Sequence, residues 1–219
     1  KMPMKNVVVF GGAGFLGSHV ADALTEAGYN VTVFDFVESK YLRSDQRMVI
    51  GNLLDLQSIR KVVDRAHYVF NLAAIAGIKE ANLNPLETIQ TNVIGNTNIL
   101  EACREQKIER FVFASTVYVY SEMASFYRAS KQASELIIES YKEKFDLNFT
   151  ILRYGSLYGP RANKFNFIRN IIEQALNEGK ISRKGDGQEI RDYIHVKDAA
   201  QSSVEILSET YKNQHVIIA

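Results

Sequence analysis

The sequence is poor in cysteine and proline, and each shortage excludes a class of protein. Cys103 is the only cysteine among 219 residues, so the chain can hold neither an internal disulfide nor a cysteine-based metal cluster. We therefore expect no metal site, and a reducing cytoplasm suits such a chain. Prolines occur only at Pro3, Pro85 and Pro160, so no proline-rich linker divides the sequence.

Long apolar runs and an excess of one charge are missing as well. No stretch approaches the roughly 20 apolar residues of a membrane span, and the first residues lack the layout of a signal peptide. The net charge is +1, which argues against nucleic acid or an acidic membrane surface as a partner. We therefore expect a cytoplasmic protein that binds neither nucleic acid nor a membrane. Its hydrophobic share of 46% supports a substantial core.

The first 35 residues carry the strongest local pattern. Residues 7–10 form a short apolar run, typical of a strand buried on both faces, and glycines follow at Gly11, Gly14 and Gly17. Such a turn lets backbone approach a pyrophosphate, and the start of the next helix offers unpaired N–H groups to it. Asp35 ends the second strand, where a carboxylate can accept the ribose hydroxyls of NAD and repel a 2′-phosphate. A glycine turn alone also occurs in structural loops, but this context favours an NAD site.

Strand and helix signals alternate along the whole chain, which predicts an α/β protein with a doubly wound parallel sheet. We place a dinucleotide-binding domain at residues 1–160. Residues 161–219 form a mixed segment that contributes substrate-binding elements and the last strands of the sheet. One helix is predicted over 86–106 and another over 196–211. Ligands of such sheets bind beyond the carboxyl ends of the strands, so the polar residues there are the candidates for a site.

Tyr127 and Lys131 lie four residues apart in a predicted helix and therefore share a face. An ammonium beside a phenol stabilises the phenolate and lowers its pKa, so the pair could take a proton from an alcohol. A hydroxyl at the preceding strand end, Ser115 or Thr116, could orient the same alcohol. The same spacing arises by chance on many helix surfaces, and it gains meaning only from the nucleotide site upstream.

Further motifs run from about Lys5 to Ala219. They are the glycine turn, Asn71-Leu72-Ala73-Ala74, Thr91-Asn92-Val93, Ser115-Thr116 with Val119-Tyr120, Tyr127-Arg128-Ala129-Ser130-Lys131, Arg153 through Tyr158-Gly159-Pro160, and Gly185-Asp186-Gly187 with Arg191-Asp192-Tyr193-Ile194-His195-Val196. In this order they resemble the extended short-chain dehydrogenase/reductase family, in its NAD-dependent nucleotide-sugar epimerase/dehydratase branch, and are similar to UDP-glucose 4-epimerases. The resemblance implies a Rossmann fold with a small, apparently truncated C-terminal substrate-binding region.

The resemblance also implies a role for each matching residue. Thr116, Tyr127 and Lys131 would be catalytic, with Tyr127 as the base. The cofactor NAD would be bound by Gly11, Gly14, Phe15, Leu16, Gly17, Asp35, Asn52, Leu53, Ala73, Ala74, Asn92, Ser115, Tyr127, Lys131 and Tyr154. Ser156 and Arg191 would bind the substrate, a nucleotide-diphosphate sugar. A homodimer is implied, through the helices that carry Asn92 and Tyr127.

Several departures from the family pattern bear on the reaction. Dehydratases and decarboxylases of the family usually carry an acid just after the catalytic hydroxyl, where this chain has Val117 and Tyr118. That favours epimerisation or a simple oxidation or reduction. Only ten residues separate Thr116 from Tyr127, so the site should be open, and Ser156 replaces a usual asparagine. The chain stops at Ala219, as a compact natural variant or as part of a longer protein.

Three functions therefore stay open. The first is an NAD-dependent nucleotide-sugar epimerase, which oxidises a sugar hydroxyl to a transient ketone and returns hydride to the other face. The second is a dehydratase, reductase or dehydrogenase of the same family. The third is a catalytically quiet NAD-binding protein.

Overall fold

The computed structural model describes residues 4–121 and 125–219, which form a parallel sheet with helices on both faces. The strands are β1 (Asn6–Phe10), β2 (Asn30–Asp35), β3 (Arg47–Ile50), β4 (Tyr68–Asn71), β5 (Arg110–Thr116), β6 (Phe149–Tyr154), β7 (Ser156–Tyr158), β8 (Tyr193–His195) and β9 (Gln214–Ile218). The α-helices are α1 (Phe15–Glu26), α2 (Leu56–Val63), α3 (Ile78–Leu83), α4 (Pro85–Ile89), α5 (Gly95–Gln106), α6 (Ser125–Phe145), α7 (Phe167–Glu178) and α8 (Val196–Glu205).

Seven of these strands form one sheet in the order β3-β2-β1-β4-β5-β6-β9, with every neighbouring pair parallel. The order reverses between β1 and β4, so the crevice beyond their carboxyl ends is the place where such a sheet binds its ligand. The predicted doubly wound α/β fold is confirmed. The segment after residue 160 supplies β9, the last strand of the sheet.

Two apolar clusters cover the two faces of the sheet. Val8 and Phe10 of β1 pack with residues of α2, α5 and α6, such as Ile59, on one face. Val7 and Val9 pack with residues of α1 and α8, such as Leu24, on the other. Because side chains alternate along a strand, burial on both faces requires the continuous apolar run of residues 7–10.

The helix predicted over 86–106 is present and contains a π-helical turn. Pro85 begins α4, a π-helical turn follows at Gln90–Ile94, and α5 continues from Gly95. The turn holds the buried Asn92, whose side chain bonds to the backbone of Ile75. π-turns of this kind often mark functional sites, because they re-aim one residue of a helix.

The helix predicted over 196–211 ends at Glu205, and a 3₁₀ turn follows at Glu209–Tyr211. The buried Arg110 donates from its guanidinium to the carbonyl oxygens of Ile206, at 3.0 Å, and Ser208, at 3.5 Å. A cation that takes the last carbonyls of a helix replaces the hydrogen bonds that would continue it.

The pairing of β7 with β8 in a separate two-stranded sheet was not predicted, because strands of three residues carry no detectable periodicity. The predicted short connection between Thr116 and Tyr127 includes residues 122–124, which lie outside the described residues. Within the described ranges, no helix combines the length and apolar character needed to cross a membrane.

Candidate active site

The glycine turn joins β1 to α1 at the carboxyl edge of the sheet. Gly11 has a φ of +77°, which favours glycine, and a Cβ on Gly17 would lie 2.0 Å from the Gly11 carbonyl oxygen. A Cβ on Gly14 would instead meet only that oxygen, at 3.3 Å. Gly17 therefore allows helix and turn to pack together, whereas Gly14 keeps the turn open towards the cleft in front of it.

Helix α1 begins at this turn with free backbone donors. Gly14 precedes its first residue, Phe15, without a capping side chain, and the first turn of α1 has no acidic residue. The first N–H groups of a helix lack partners within it and carry a partial positive charge. This backbone cradle fits the pyrophosphate of a dinucleotide.

Asp35 lies beside the turn, at the end of β2. Its carboxylate accepts hydrogen bonds from the backbone N–H groups of Ala13, at 3.0 Å, and Phe36, at 2.8 Å. Burial raises the pKa of the Asp35 carboxyl, while these N–H groups act in the opposite direction. Asp35 thus holds a negative charge at the edge of the turn, where a ribose would follow the pyrophosphate.

A cleft of about 1130 Å³ extends from the glycine turn across the ends of β5 and β6. It brings together most of the predicted site residues: Gly11, Gly14, Phe15, Leu16, Gly17, Ala74, Ser115, Thr116, Tyr127, Lys131, Tyr154, Ser156 and Arg191. The other predicted residues, Asp35, Asn52, Leu53, Ala73 and Asn92, lie outside its lining. Residues separated by up to 180 positions in the sequence therefore meet in one cavity.

The residues predicted at the adenine end have structural contacts of their own. Asn52 accepts a hydrogen bond from the backbone of Leu54 at 2.9 Å, and Leu53 packs against the core. Ala73 lies against the turn, since a Cβ on Gly11 would come within 2.6 Å of its nitrogen.

The two hydroxyls at the end of β5 have different surroundings. Ser115 Oγ donates to Glu135 Oε2 at 2.6 Å, so its proton is already engaged. Thr116 Oγ1 accepts from the backbone N–H of Tyr118 at 3.1 Å, and its own proton stays available to a ligand. The structure thus favours Thr116 as the hydroxyl that would orient a substrate oxygen.

Tyr127 and Lys131 share one face of α6, as their spacing predicts. Lys131 Nζ lies 5.8 Å from the centroid of the Tyr127 ring and donates to the carbonyl oxygen of Ala114 at 2.7 Å. Burial lowers the pKa of Lys131 to about 8 and raises the pKa of Tyr127 to about 12. The predicted lowering of the tyrosine pKa is thus wrong for the chain alone, because its phenol is desolvated without a hydrogen bond from the ammonium.

Asn92 links α6, the helix that carries this pair, to the segment after β4. Its amide accepts from Ile75 N–H at 2.8 Å and donates to the Ile75 carbonyl, at 3.1 Å, and to Ser130 Oγ, at 3.0 Å. Asn92 therefore ties the segment after β4 to the helix that carries Tyr127. The hydroxyl of Tyr154, at the end of β6, is 2.5 Å from the Oγ of Ser203 on α8.

Several residues of the site escaped the sequence analysis. Arg183, Lys184 and Glu189 line the outer wall of the cleft, in a stretch whose polar, aperiodic sequence predicts only a loop. The buried Glu135 binds Ser115 and forms an ion pair with Arg153 at 2.6 Å. Its spacing of four residues from Lys131 on the same helix is the one signal that could have identified it.

Comparisons with known proteins place this geometry in a family. The model of the NAD-dependent epimerase/dehydratase family matches residues 7–219. A UDP-N-acetyl-alpha-D-glucosaminuronate decarboxylase of Bacillus cytotoxicus is 31% identical, over 98% of this chain and 74% of its own length.

Solved structures show the same fold. The UDP-glucose 4-epimerase of Thermotoga maritima, solved with UDP-glucose, is 29% identical, with a TM-score of 0.91 over 97% of this chain and 76% of its own. The UDP-glucose 4-epimerase of Thermus thermophilus, solved with NAD, is 28% identical, with a TM-score of 0.87 over 98% of this chain and 77% of its own.

Proposed function

The chain belongs to the NAD-dependent epimerase/dehydratase family, and we propose that it is a nucleotide-sugar 4-epimerase of that family. Its cofactor is NAD. The observation that carries the proposal is the meeting of Thr116, Tyr127 and Lys131 with the glycine turn in one cleft. This arrangement places an alcohol-binding hydroxyl and a proton acceptor beside a dinucleotide cradle.

The proposed reaction oxidises and reduces the same carbon of the sugar. When bound, NAD supplies a reversible acceptor for hydride. Tyr127 takes the proton of the sugar hydroxyl while Thr116 donates a hydrogen bond to its oxygen, and loss of hydride leaves a ketone. The ketone then turns over in the cleft, hydride returns to its opposite face, and Tyr127 gives the proton back.

Lys131 makes this role of Tyr127 feasible. A phenol whose pKa is near 12 is a poor base at neutral pH, and a positive charge close to it stabilises the phenolate. With a pKa of about 8, Lys131 is mostly protonated at pH 7. When bound, NAD would supply a further positive charge on its nicotinamide ring, which would also stabilise the phenolate.

The outer wall supports a diphosphate substrate. Arg183, Lys184 and Arg191 contribute positive groups to the cleft, and a guanidinium fork suits phosphate oxygens. Ser156 adds a hydroxyl near Arg191. The decarboxylase of Bacillus cytotoxicus and the epimerase of Thermotoga maritima are both named for UDP-linked sugars, which supports a UDP-sugar as the first substrate to test.

Among the described residues of the cleft, the lack of an acid free to deliver a proton favours epimerisation over elimination of water. Val117 and Tyr118 follow Thr116, and Glu189, the acidic residue among the described cleft-lining residues, is paired with Arg183. Elimination needs a group that delivers a proton to the leaving hydroxyl. An epimerase needs no such group, since its proton returns to the oxygen from which it came.

The decisive experiment incubates the protein and NAD with UDP-glucose, UDP-N-acetylglucosamine and UDP-glucuronic acid in turn. We expect one of them to interconvert with its 4-epimer without net change in absorbance at 340 nm. Accumulation of NADH or of a stable keto-sugar would instead indicate a dehydrogenase or a dehydratase. Tyr127→Phe should abolish turnover while Tyr120→Phe, on the exposed turn before α6, should not.

A homodimer through the helices that carry Asn92 and Tyr127 is part of the proposal. Ile94 and Leu136, on the π-turn and on α6, are exposed apolar side chains that such a contact would cover. Light scattering coupled to gel filtration would give about 49 kDa for a dimer, twice the 24.7 kDa of this chain. A mass of one chain would refute it.

A further inference from the structure

A short 3₁₀ turn, Val117–Tyr120, places one tyrosine in contact with three residues of the site. The Tyr118 N–H donates to Thr116 Oγ1 at 3.1 Å, and its hydroxyl lies 3.2 Å from Ser156 Oγ. Its ring lies 5.8 Å from the guanidinium carbon of Arg191. We propose that Tyr118 is a positioning residue that fixes Ser156 and Arg191 relative to Thr116 and thereby sets the affinity for the sugar nucleotide.

Arg191 needs such a partner. It lies in the exposed stretch between α7 and β8, and its guanidinium has no hydrogen bond or ion pair to any other described residue. A cation over an aromatic face is attracted to it, and the planar guanidinium also stacks on the ring. The Tyr118 ring is therefore what restricts the position of this charge at the mouth of the cleft.

The contacts to Ser156 and Arg191 act on one structural unit. Ser156 begins β7 and pairs in register with Tyr193 of β8, and its backbone N–H donates to the Asp192 carbonyl oxygen at 2.6 Å. Arg191 immediately precedes Asp192. Tyr118 thus braces the two-stranded sheet at two points, one through its hydroxyl and one through its ring.

Tyr118 itself is held firmly enough to act as a brace. The next residue, Val119, is buried, and its carbonyl oxygen accepts from Gln132 Nε2 of α6 at 2.7 Å. Thr116 Oγ1 fixes the start of the turn. Tyr118 is therefore fixed by its neighbours. A fixed side chain restricts the positions of the residues that it contacts, here two residues of a more exposed segment.

This inference rests on the proposed function, and its test separates the ring from the hydroxyl. Tyr118→Phe keeps the ring and removes the contact to Ser156, whereas Tyr118→Leu removes both. Tyr120→Leu is the matched control, since its ring lies over Arg153, an arginine outside the cleft lining. Titration with UDP-glucose should show affinity lowered about threefold in Tyr118→Phe and about tenfold in Tyr118→Leu. Affinity for NAD should stay within about twofold in all three variants.

The action through Arg191 is tested by a double-mutant cycle. If the ring acts through this guanidinium, the extra loss in Tyr118→Leu over Tyr118→Phe should disappear in an Arg191→Met background. Equal losses in both backgrounds would overturn the proposal. So would unchanged affinity for UDP-glucose in Tyr118→Leu together with a loss in Arg191→Met.

A measurement without substrate keeps the inference distinct from the proposed function. The NMR signal of the Arg191 Nε–H group, identified by its loss in Arg191→Lys, should be shifted upfield by the ring current. That shift should vanish in Tyr118→Leu and persist in Tyr118→Phe and Tyr120→Leu. A signal unchanged in Tyr118→Leu would refute the brace. A Tyr118-dependent signal in a protein that binds no UDP-glucose would uphold the brace and refute the proposed substrate.

Discussion

Two helices of equal length border the same cleft, and they are held in opposite ways. Both α1 and α7 contain 12 residues. Six residues of α1 are buried, because the glycine turn seats it directly on the sheet and α8 packs against it. No residue of α7 is buried. The wall of the cleft that carries the glycine turn is thus part of the core, whereas the wall that α7 forms is a layer added to its surface.

The difference follows from how each helix is attached. Helix α7 is fixed at its first turn, where Asn166 Oδ1 accepts from the Arg169 N–H at 3.2 Å and the Arg169 guanidinium donates to the Ala162 carbonyl oxygen. Beyond that turn, the side chains of Ile172 and Leu176 are 52% and 80% exposed. A rigid cradle suits an invariant cofactor, and a loosely attached wall can change its sequence with the sugar without disturbing the fold.

The largest expected effect, on both stability and NAD affinity, comes from adding a side chain in the glycine turn. In Gly17→Ala the new Cβ would lie 2.0 Å from the Gly11 carbonyl oxygen, so backbone must move. We expect the free energy of unfolding to fall by about 4 kcal/mol or more and affinity for NAD to fall at least about 100-fold. Thermal unfolding and NAD titration measure both.

Gly14→Ala is the matched control for that change. Its Cβ would meet only the Gly11 oxygen, at 3.3 Å, so the melting temperature should change little. Affinity for NAD should still fall about tenfold, because the methyl group enters the space in front of the turn. A Gly17→Ala protein with normal stability, or a Gly14→Ala protein with normal NAD affinity, would contradict the assignment of the two glycines.

The next largest effect is expected when the same substitution, leucine to alanine, is made in α1 and in α7. Leu24 of α1 has no exposed surface, and Leu176 of α7 is 80% exposed. We expect Leu24→Ala to cost about 3 kcal/mol and to lower the melting temperature by about 6–12 °C. Leu176→Ala should stay within about 0.5 kcal/mol of the wild type. A similar cost at both positions would show that α7 is covered in solution.

Sequence patterns were most informative where structure is determined locally. The glycine turn, the helix that follows it and Asp35 at the end of β2 lie as predicted. Each of these depends on residues within a few positions of each other. Apolar periodicity and the restricted backbone conformations of a tight turn were sufficient to predict them.

The rest depends on contacts between distant segments. The pairing of β7 with β8 joins residues 37 positions apart, and three-residue strands carry too little periodicity to reveal it. The π-turn contains Asn92, which bonds to Ile75 across 17 positions, and the contact of Tyr118 with Arg191 spans 73 positions. The motif pattern could identify Arg191 as a member of the site, but no local rule predicts which side chain holds it.

The smallest of the expected effects concerns Lys131, at the border between the two sides. It is 4% exposed, and burial lowers its pKa from 10.5 to about 8, so keeping its charge at pH 7 destabilises the fold by about 3 kcal/mol. Lys131→Met removes this cost and also removes the hydrogen bond to Ala114, about 1 kcal/mol. We therefore expect the variant to be inactive but about 1–2 kcal/mol more stable at pH 7.

The sign of the pH dependence makes this prediction specific. Between pH 8 and 10.5 the unfolded lysine still binds a proton that the folded one has lost, so the stability of the wild type rises with pH in that window. Lys131→Met gains nothing there, and its advantage should shrink steadily between pH 8 and 10. Paired thermal unfolding at pH 7 and 9.5 measures the difference, in which groups common to both proteins cancel. An advantage that is constant with pH would mean that Lys131 is not buried as a charged group, and that its role beside Tyr127 has another origin.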